Sequence, residues 1–117
     1  MATVSPAIDF VTAQAAKVPR VTWNDIVTGD TITTLPIAAQ AAVAGAVQIG
    51  GTFGGATVTL QASNDGVTYF TMKDLTGVSI STATAALFEF TTAAMYVRPA
   101  VTSGSANAVD VTLMLRG

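Results

Sequence analysis

The chain has 117 residues, 50% apolar and only 10% charged, with five Lys and Arg against seven Asp and Glu for a formal charge of −2. That length makes one domain, and the charge pattern lacks the basic run or arginine stripe with which a nucleic-acid binder neutralises phosphates. The absence of Cys and His excludes disulfides, thiolate metal sites, Ser-His-Asp triads and Cys-His dyads.

An average soluble domain is about 25% charged, so this exterior is not an ordinary mixed-charge surface. Nineteen Thr and 21 Ala instead supply small or hydroxyl-bearing outward positions, suited to flat strand faces and close subunit contacts. A homodimer or homotrimer is therefore expected.

Residues 1–19 show no sustained period and are expected as an irregular N-terminal arm, preceding a single domain over 20–117. The start, MATVSPAIDF, lacks the basic and apolar regions of a signal peptide. The apolar stretch from Pro36 to Gly50 is broken by Gln40, Gly45 and Gln48, so no membrane span is expected. Extended chain covers about 3.3 Å per residue, which gives this arm a long reach. Ile8, Phe10 and Val11 are its apolar anchors and the candidate partner contacts.

From Arg20 a strand pattern begins, with Val21, Trp23 and Asp25 on one face and Thr22, Asn24 and Ile26 on the other. Trp23 is the only Trp, and its bulk marks it as a core anchor. Thr31 to Leu35 is a short strand stopped by Pro36. The following IAAQAAVAG is expected as a loop or one helical turn ending at Gly45.

Ala46 to Asp74 carries the densest strand and turn signals. Val47, Ile49, Gly51 and Phe53 alternate with Gln48, Gly50 and Thr52, and Gly54-Gly55 then separates them from Val58, Leu60 and Ala62, which predicts a hairpin. Asn64-Asp65-Gly66 predicts a second, returning through Val67, Tyr69 and Thr71.

Val78 to Ser81 is a short edge piece. In Ala85 to Thr92, Leu87 and Glu89 oppose Phe88 and Phe90. Met95 to Val101 contains Pro99, which cannot donate to a ladder and so marks an edge or a bulge. Val109, Val111, Leu113 and Leu115 close the chain with regular alternation. About eight short strands and no long helix define an all-β fold, an antiparallel β-sandwich of jelly-roll-like form.

No residue pattern carries catalysis. Glu89 has no second acid at a recognisable spacing, and its reading is an exposed strand position, with an ion pair to Arg98 or Arg20 next. Asn64-Asp65-Gly66 lacks the further oxygen ligands of a calcium loop. GGTFGG is not followed by the GK[ST] of a phosphate loop. Neither enzyme activity nor a cofactor, metal or small-molecule substrate is expected.

The stretch Gly51 to Gly66, GTFGGATVTLQASNDG, resembles a recurring segment of small virion proteins of tailed bacteriophages. The likeness extends to Trp23 with Gly29-Asp30, to Tyr96-Val97-Arg98-Pro99 and to Val111-Thr112-Leu113, spanning about Val21 to Leu115. Tyr69-Phe70 replaces an expected Trp and Ala62 an expected Gly, departures that affect packing. The resemblance implies a capsid decoration or cement protein in β-sandwich form, made in the host cytoplasm and carried on the capsid surface. Its implied partner is the major capsid protein or another virion protein, with no nucleic acid and no membrane. A minor tail, neck or fibre-associated component is the alternative on the same fold. A carbohydrate-binding β-sandwich is a further one, in which Trp23, Tyr69, Phe70 and Tyr96 would supply stacking.

Overall fold

Alternation along the final strand buries Val109, Val111, Leu113 and Leu115 on one side, and that strand is the middle of the larger sheet. The computed structural model describes residues 2–13, 16–36 and 43–116. They form β1 (Thr3–Val4), β2 (Ala7–Ala13), β3 (Ala16–Ile26), β4 (Thr31–Ile32), β5 (Leu35–Pro36) and β6 (Val43–Thr52). The second half supplies β7 (Thr57–Ser63), β8 (Phe70–Thr71), β9 (Ser81–Thr82), β10 (Ala86–Thr92), β11 (Tyr96–Thr102) and β12 (Ala108–Arg116). No helix occurs among the described residues.

One five-stranded antiparallel sheet runs in the order β10-β6-β12-β3-β2, and the second runs β5-β11-β7-β8 with β9 also paired to β7. Two faces with two-residue periodicity pack on each other, as in other β-sandwiches. Trp23, Val47, Ile49, Phe90 and Leu113 from the first sheet and Val58, Leu60 and Val97 from the second share the core. Trp23 is fully buried, and its indole N–H is satisfied by the carbonyl of Thr33 at 2.9 Å. Phe53 and Phe88 pack against the cluster from its margin. The all-β sandwich expected from the strand patterns is the fold observed.

Four local expectations are corrected. Gly54-Gly55 closes no hairpin: β6 pairs with β10 and β12, whereas β7 pairs with β11, β8 and β9. This glycine turn carries the chain from one sheet to the other. Its backbone also meets the turn at 103–106, where Ser105 N–H donates to the Gly54 carbonyl at 3.0 Å. A Cβ on Gly54 would lie 2.0 Å from the Ser105 carbonyl oxygen, so the glycine is required by close approach of two backbones.

The second correction is to the face of β3. Val109 pairs with Ile26 and Val111 with Trp23, so three steps on β3 oppose two on β12. Asp25, at φ 56°, belongs to this bulge, which turns Ile26 into the core and Asp25 out.

Third, residues 1–19 are not an irregular arm in the described part. β1 pairs in parallel with β4, Thr3 with Thr31 and Val4 with Ile32. β2 forms an antiparallel hairpin with β3 from Ala7 opposite Thr22 to Ala13 opposite Ala16. The pairing partner supplies the order that the local sequence lacks. Fourth, the twelve strands of the described residues exceed the expected eight, because several pairings involve only two residues. The loop or helical turn expected after Pro36 falls at 37–42, outside the described residues; Val43 to Gly45 already belong to β6.

The second expected hairpin is present, though wider than a two-residue turn. Gln61 pairs with Thr71 and Ala62 with Phe70. The Asp65 carboxylate organises the intervening loop by accepting the N–H groups of Val67 and Thr68 at 2.8 and 2.9 Å.

Candidate functional site

Among the described residues no group of three or more His, Cys, Asp or Glu side chains converges to hold a metal ion. The carboxylates have separate structural tasks. Asp110 accepts the Asp25 N–H, Asp30 accepts the N–H groups of Ala2 and Val27, and Asp65 and Asp74 each close a turn on their own chain. The Asp65 carboxyl is thereby pushed down to about 2, through the Val67 and Thr68 N–H groups first and then the Ser63 hydroxyl.

The broadest candidate surface is the outward face of the β10-β6-β12-β3-β2 sheet. By register, Leu87, Gln48, Thr112, Thr22 and Ala7 form one row across β10, β6, β12, β3 and β2. Glu89, Ala46, Met114, Arg20 and Asp9 form the next. A shallow depression of about 600 Å³ lies over the first part, lined by Asp9, Arg20, Thr22, Asn24, Gln48, Thr112 and Met114 among others. A second, of about 500 Å³, is lined by Ala44, Ala46, Leu75, Glu89, Thr91 and Met114 among others. Met114 borders both, so the two form one continuous, shallow surface of Ala, Thr and amide side chains, with exposed Leu75, Leu87 and Glu89 at its β10 end.

Charge on this face is sparse. Arg20 donates through Nε and Nη2 to the two carboxylate oxygens of Asp9, at 3.1 and 2.5 Å. The Asp9 carboxyl is held below the usual carboxylate range by the Arg20 guanidinium, and the guanidinium is raised in turn. This is the one ion pair among the described residues. Both partners are exposed, so it contributes geometry more than stability. Glu89 stands three strands away from Arg20 in the same row, roughly 14 Å at the spacing of sheet strands. It is exposed and makes no ion pair with Arg20 or Arg98.

Of the sequence-predicted contacts, Ile8 lies on β2 and is 54% exposed. Phe10 and Val11 lie on the same strand, opposite Pro19 and Val18; their side chains fall outside the described residues. The structure therefore brings the three together on one strand. The face formed by Thr22, Gln48, Thr112 and Met114 was not legible in the sequence. Alternation marks each as outward, but only the strand order assembles them.

Three of the four aromatic residues that would stack on a sugar are engaged within the fold. Trp23 is buried. The Tyr69 ring is covered by the Arg98 guanidinium at 3.8 Å and its hydroxyl donates to Thr34 Oγ1 at 2.9 Å. Tyr96 is half-buried. Phe70 is 70% exposed, and one such ring is a weak platform for a saccharide.

No family model matches the chain, and none of the curated proteins matches it. Among solved structures, the chain is similar to a carbohydrate binding module (CBM6cm-2) from Cellvibrio mixtus lichenase 5A in complex with cellotriose. The identity is 11% and the TM-score 0.30, over 96% of this chain and 86% of that one; a likeness at that level carries no argument about function.

Proposed function

We propose that the chain is a structural protein of a bacteriophage virion, a capsid decoration protein that binds and stabilises the lattice of the major capsid protein. The observation that supports this reading is the outward face of the β10-β6-β12-β3-β2 sheet. It is broad, shallow and paved with Ala7, Thr22, Ala44, Ala46, Gln48 and Thr112, with Arg20 already neutralised by Asp9. Such a surface lacks the deep, enclosed cleft that holds a small ligand, but lets another protein approach the sheet closely at little desolvation cost. The resemblance of Gly51 to Gly66 to virion proteins points the same way. Several modest contacts of this kind, repeated over a lattice, add up through avidity.

The test uses particles that lack the protein. Purified chain should restore full occupancy on the capsid by cryo-electron microscopy. Ala46→Arg and Thr112→Arg, which place a bulky charge on the face, should reduce occupancy while leaving the circular dichroism unchanged. Full occupancy by both variants would reject this face, and density at the tail or neck instead of the head would reject the capsid role.

A further inference from the structure

We infer that the free edge of β2 is a dimerisation edge, on which a second copy of this chain adds its own β2 antiparallel to make one continuous sheet across a two-fold axis. This goes beyond the capsid reading and does not depend on it.

The backbone determines which groups are on offer. Phe10 is opposite Pro19, and a proline has no N–H to exchange, so this pair is of the non-hydrogen-bonded kind. Alternation then directs the N–H and C=O groups of Asp9 and Val11 toward β3, and those of Ile8, Phe10 and Thr12 away from it. Among the described residues β2 pairs with β3 alone. In the hairpin, Ala16 to Pro19 extend beyond Arg20, the last β3 residue paired with β12. Over Ala16 to Pro19, β3 is paired with β2 and not with β12, which stays with β6 as far as Arg116. Two strands without a third are marginal in water, so a third strand is a gain.

The other edges are blunted. On β10, the Glu89 carbonyl accepts the N–H of Leu75 at 3.0 Å. β11 carries Pro99 beyond the two residues that pair with β5, and β8 and β9 are two residues long. Ala7–Ala13 has none of these devices: AIDFVTA contains no Pro and no Lys, and its single charge, Asp9, is paired with Arg20. Proteins that remain monomeric protect a strand of this kind.

The occupant follows from self-complementarity. Two copies related by a two-fold axis at Phe10 set Ile8 against Thr12 and Phe10 against Phe10, so every outward group meets a partner. Asp9 then faces Val11. An axis at Asp9 would instead oppose two aspartates, which like charge disfavours.

Sedimentation of the full chain should give the mass of two chains at micromolar concentration. Phe10→Pro removes only an outward N–H, so it should give the mass of one chain with unchanged circular dichroism. Phe10→Cys, the sole cysteine of that variant, should form a covalent dimer under mild oxidation, because directly opposed residues lie about 5.5 Å apart, within disulfide reach. A wild-type monomer throughout, or a dimer that Phe10→Pro leaves intact while Phe10→Cys fails to cross-link, would overturn the assignment. Loss of fold in Phe10→Pro leaves the cross-link to decide: its absence overturns the assignment and its presence supports it.

Discussion

The backbone N–H of Asp25 donates to the carboxylate of Asp110 at 2.9 Å, across 85 residues of sequence. The bond holds open the bulge that turns Ile26 into the core. Asp25 occupies left-handed space at φ 56°, which Asp tolerates better than a β-branched residue. Asp25→Gly should therefore keep or raise the urea midpoint, whereas Asp25→Val should lower stability by about 1–3 kcal/mol. Asp110→Ala should lose about 0.5–1.5 kcal/mol with the acceptor. An unchanged midpoint for Asp25→Val would mean that the bulge does not depend on this residue.

Leu60 belongs to a closed ring of backbone hydrogen bonds. Its N–H donates to the Ile80 carbonyl at 3.2 Å, the Met72 N–H donates to its carbonyl at 2.8 Å, and the Ile80 N–H donates to Met72 at 2.8 Å. All three side chains are buried, so the ring ties the 72–80 loop to β7 beneath the core. Leu60→Ala leaves a cavity that rigid surroundings cannot fill and should destabilise by about 2–5 kcal/mol in urea or thermal unfolding. A loss below about 1 kcal/mol would show that the loop collapses into the space.

Features that depend on near neighbours were legible. Val109 to Leu115, Phe88 with Phe90, and Val97 with Pro99 alternate as expected, because side chains one pleat apart share a face. Pro99 marked an incompletely paired strand, since β5 accompanies β11 only at Tyr96 and Val97. What failed depended on distant partners. GTFGG has the composition of a hairpin, but its glycines answer to the turn at 103–106. The face of Asp25 depends on Asp110. The order in the N-terminal segment comes from pairing with Arg20 to Thr22 and, for β1, with Thr31 and Ile32. The outward sheet face unites positions 7, 22, 48, 87 and 112, which no local pattern connects.

Gly54 and Gly77 separate steric clash from backbone strain. Both have positive φ, 57° and 87°. A Cβ at Gly54 would meet the Ser105 carbonyl oxygen at 2.0 Å, while one at Gly77 would meet nothing within 4 Å. Gly77→Ala should lower stability by about 1 kcal/mol, from the left-handed backbone alone. Gly54→Ala should lose clearly more, because the two turns must separate and the Ser105 N–H to Gly54 bond goes with them. Equal losses in thermal unfolding would mean that the 103–106 turn moves aside freely.

The Asp65 carboxylate gives the fold a pH dependence of defined sign. Its Oδ1 accepts the Val67 and Thr68 N–H groups and the Ser63 hydroxyl, and its pKa in the folded chain is pushed down to about 2. In the unfolded chain the value is about 3.9. A carboxyl with a depressed folded pKa binds its proton more readily when unfolded, so its contribution is complete above about pH 4 and is lost as pH falls toward about 2. Asp9 and Asp74 are shifted in the same direction, so total acid sensitivity does not isolate Asp65. Comparison with Asp65→Asn does, because the amide keeps an acceptor at Oδ1 and cannot titrate. The difference in urea midpoint between wild type and variant should be greatest near neutral pH and shrink as pH falls through about 2, where the folded wild-type carboxyl takes up its proton. A difference that stays constant from pH 7 to pH 2 would show that the loop is held by hydrogen bonds indifferent to the charge on Asp65.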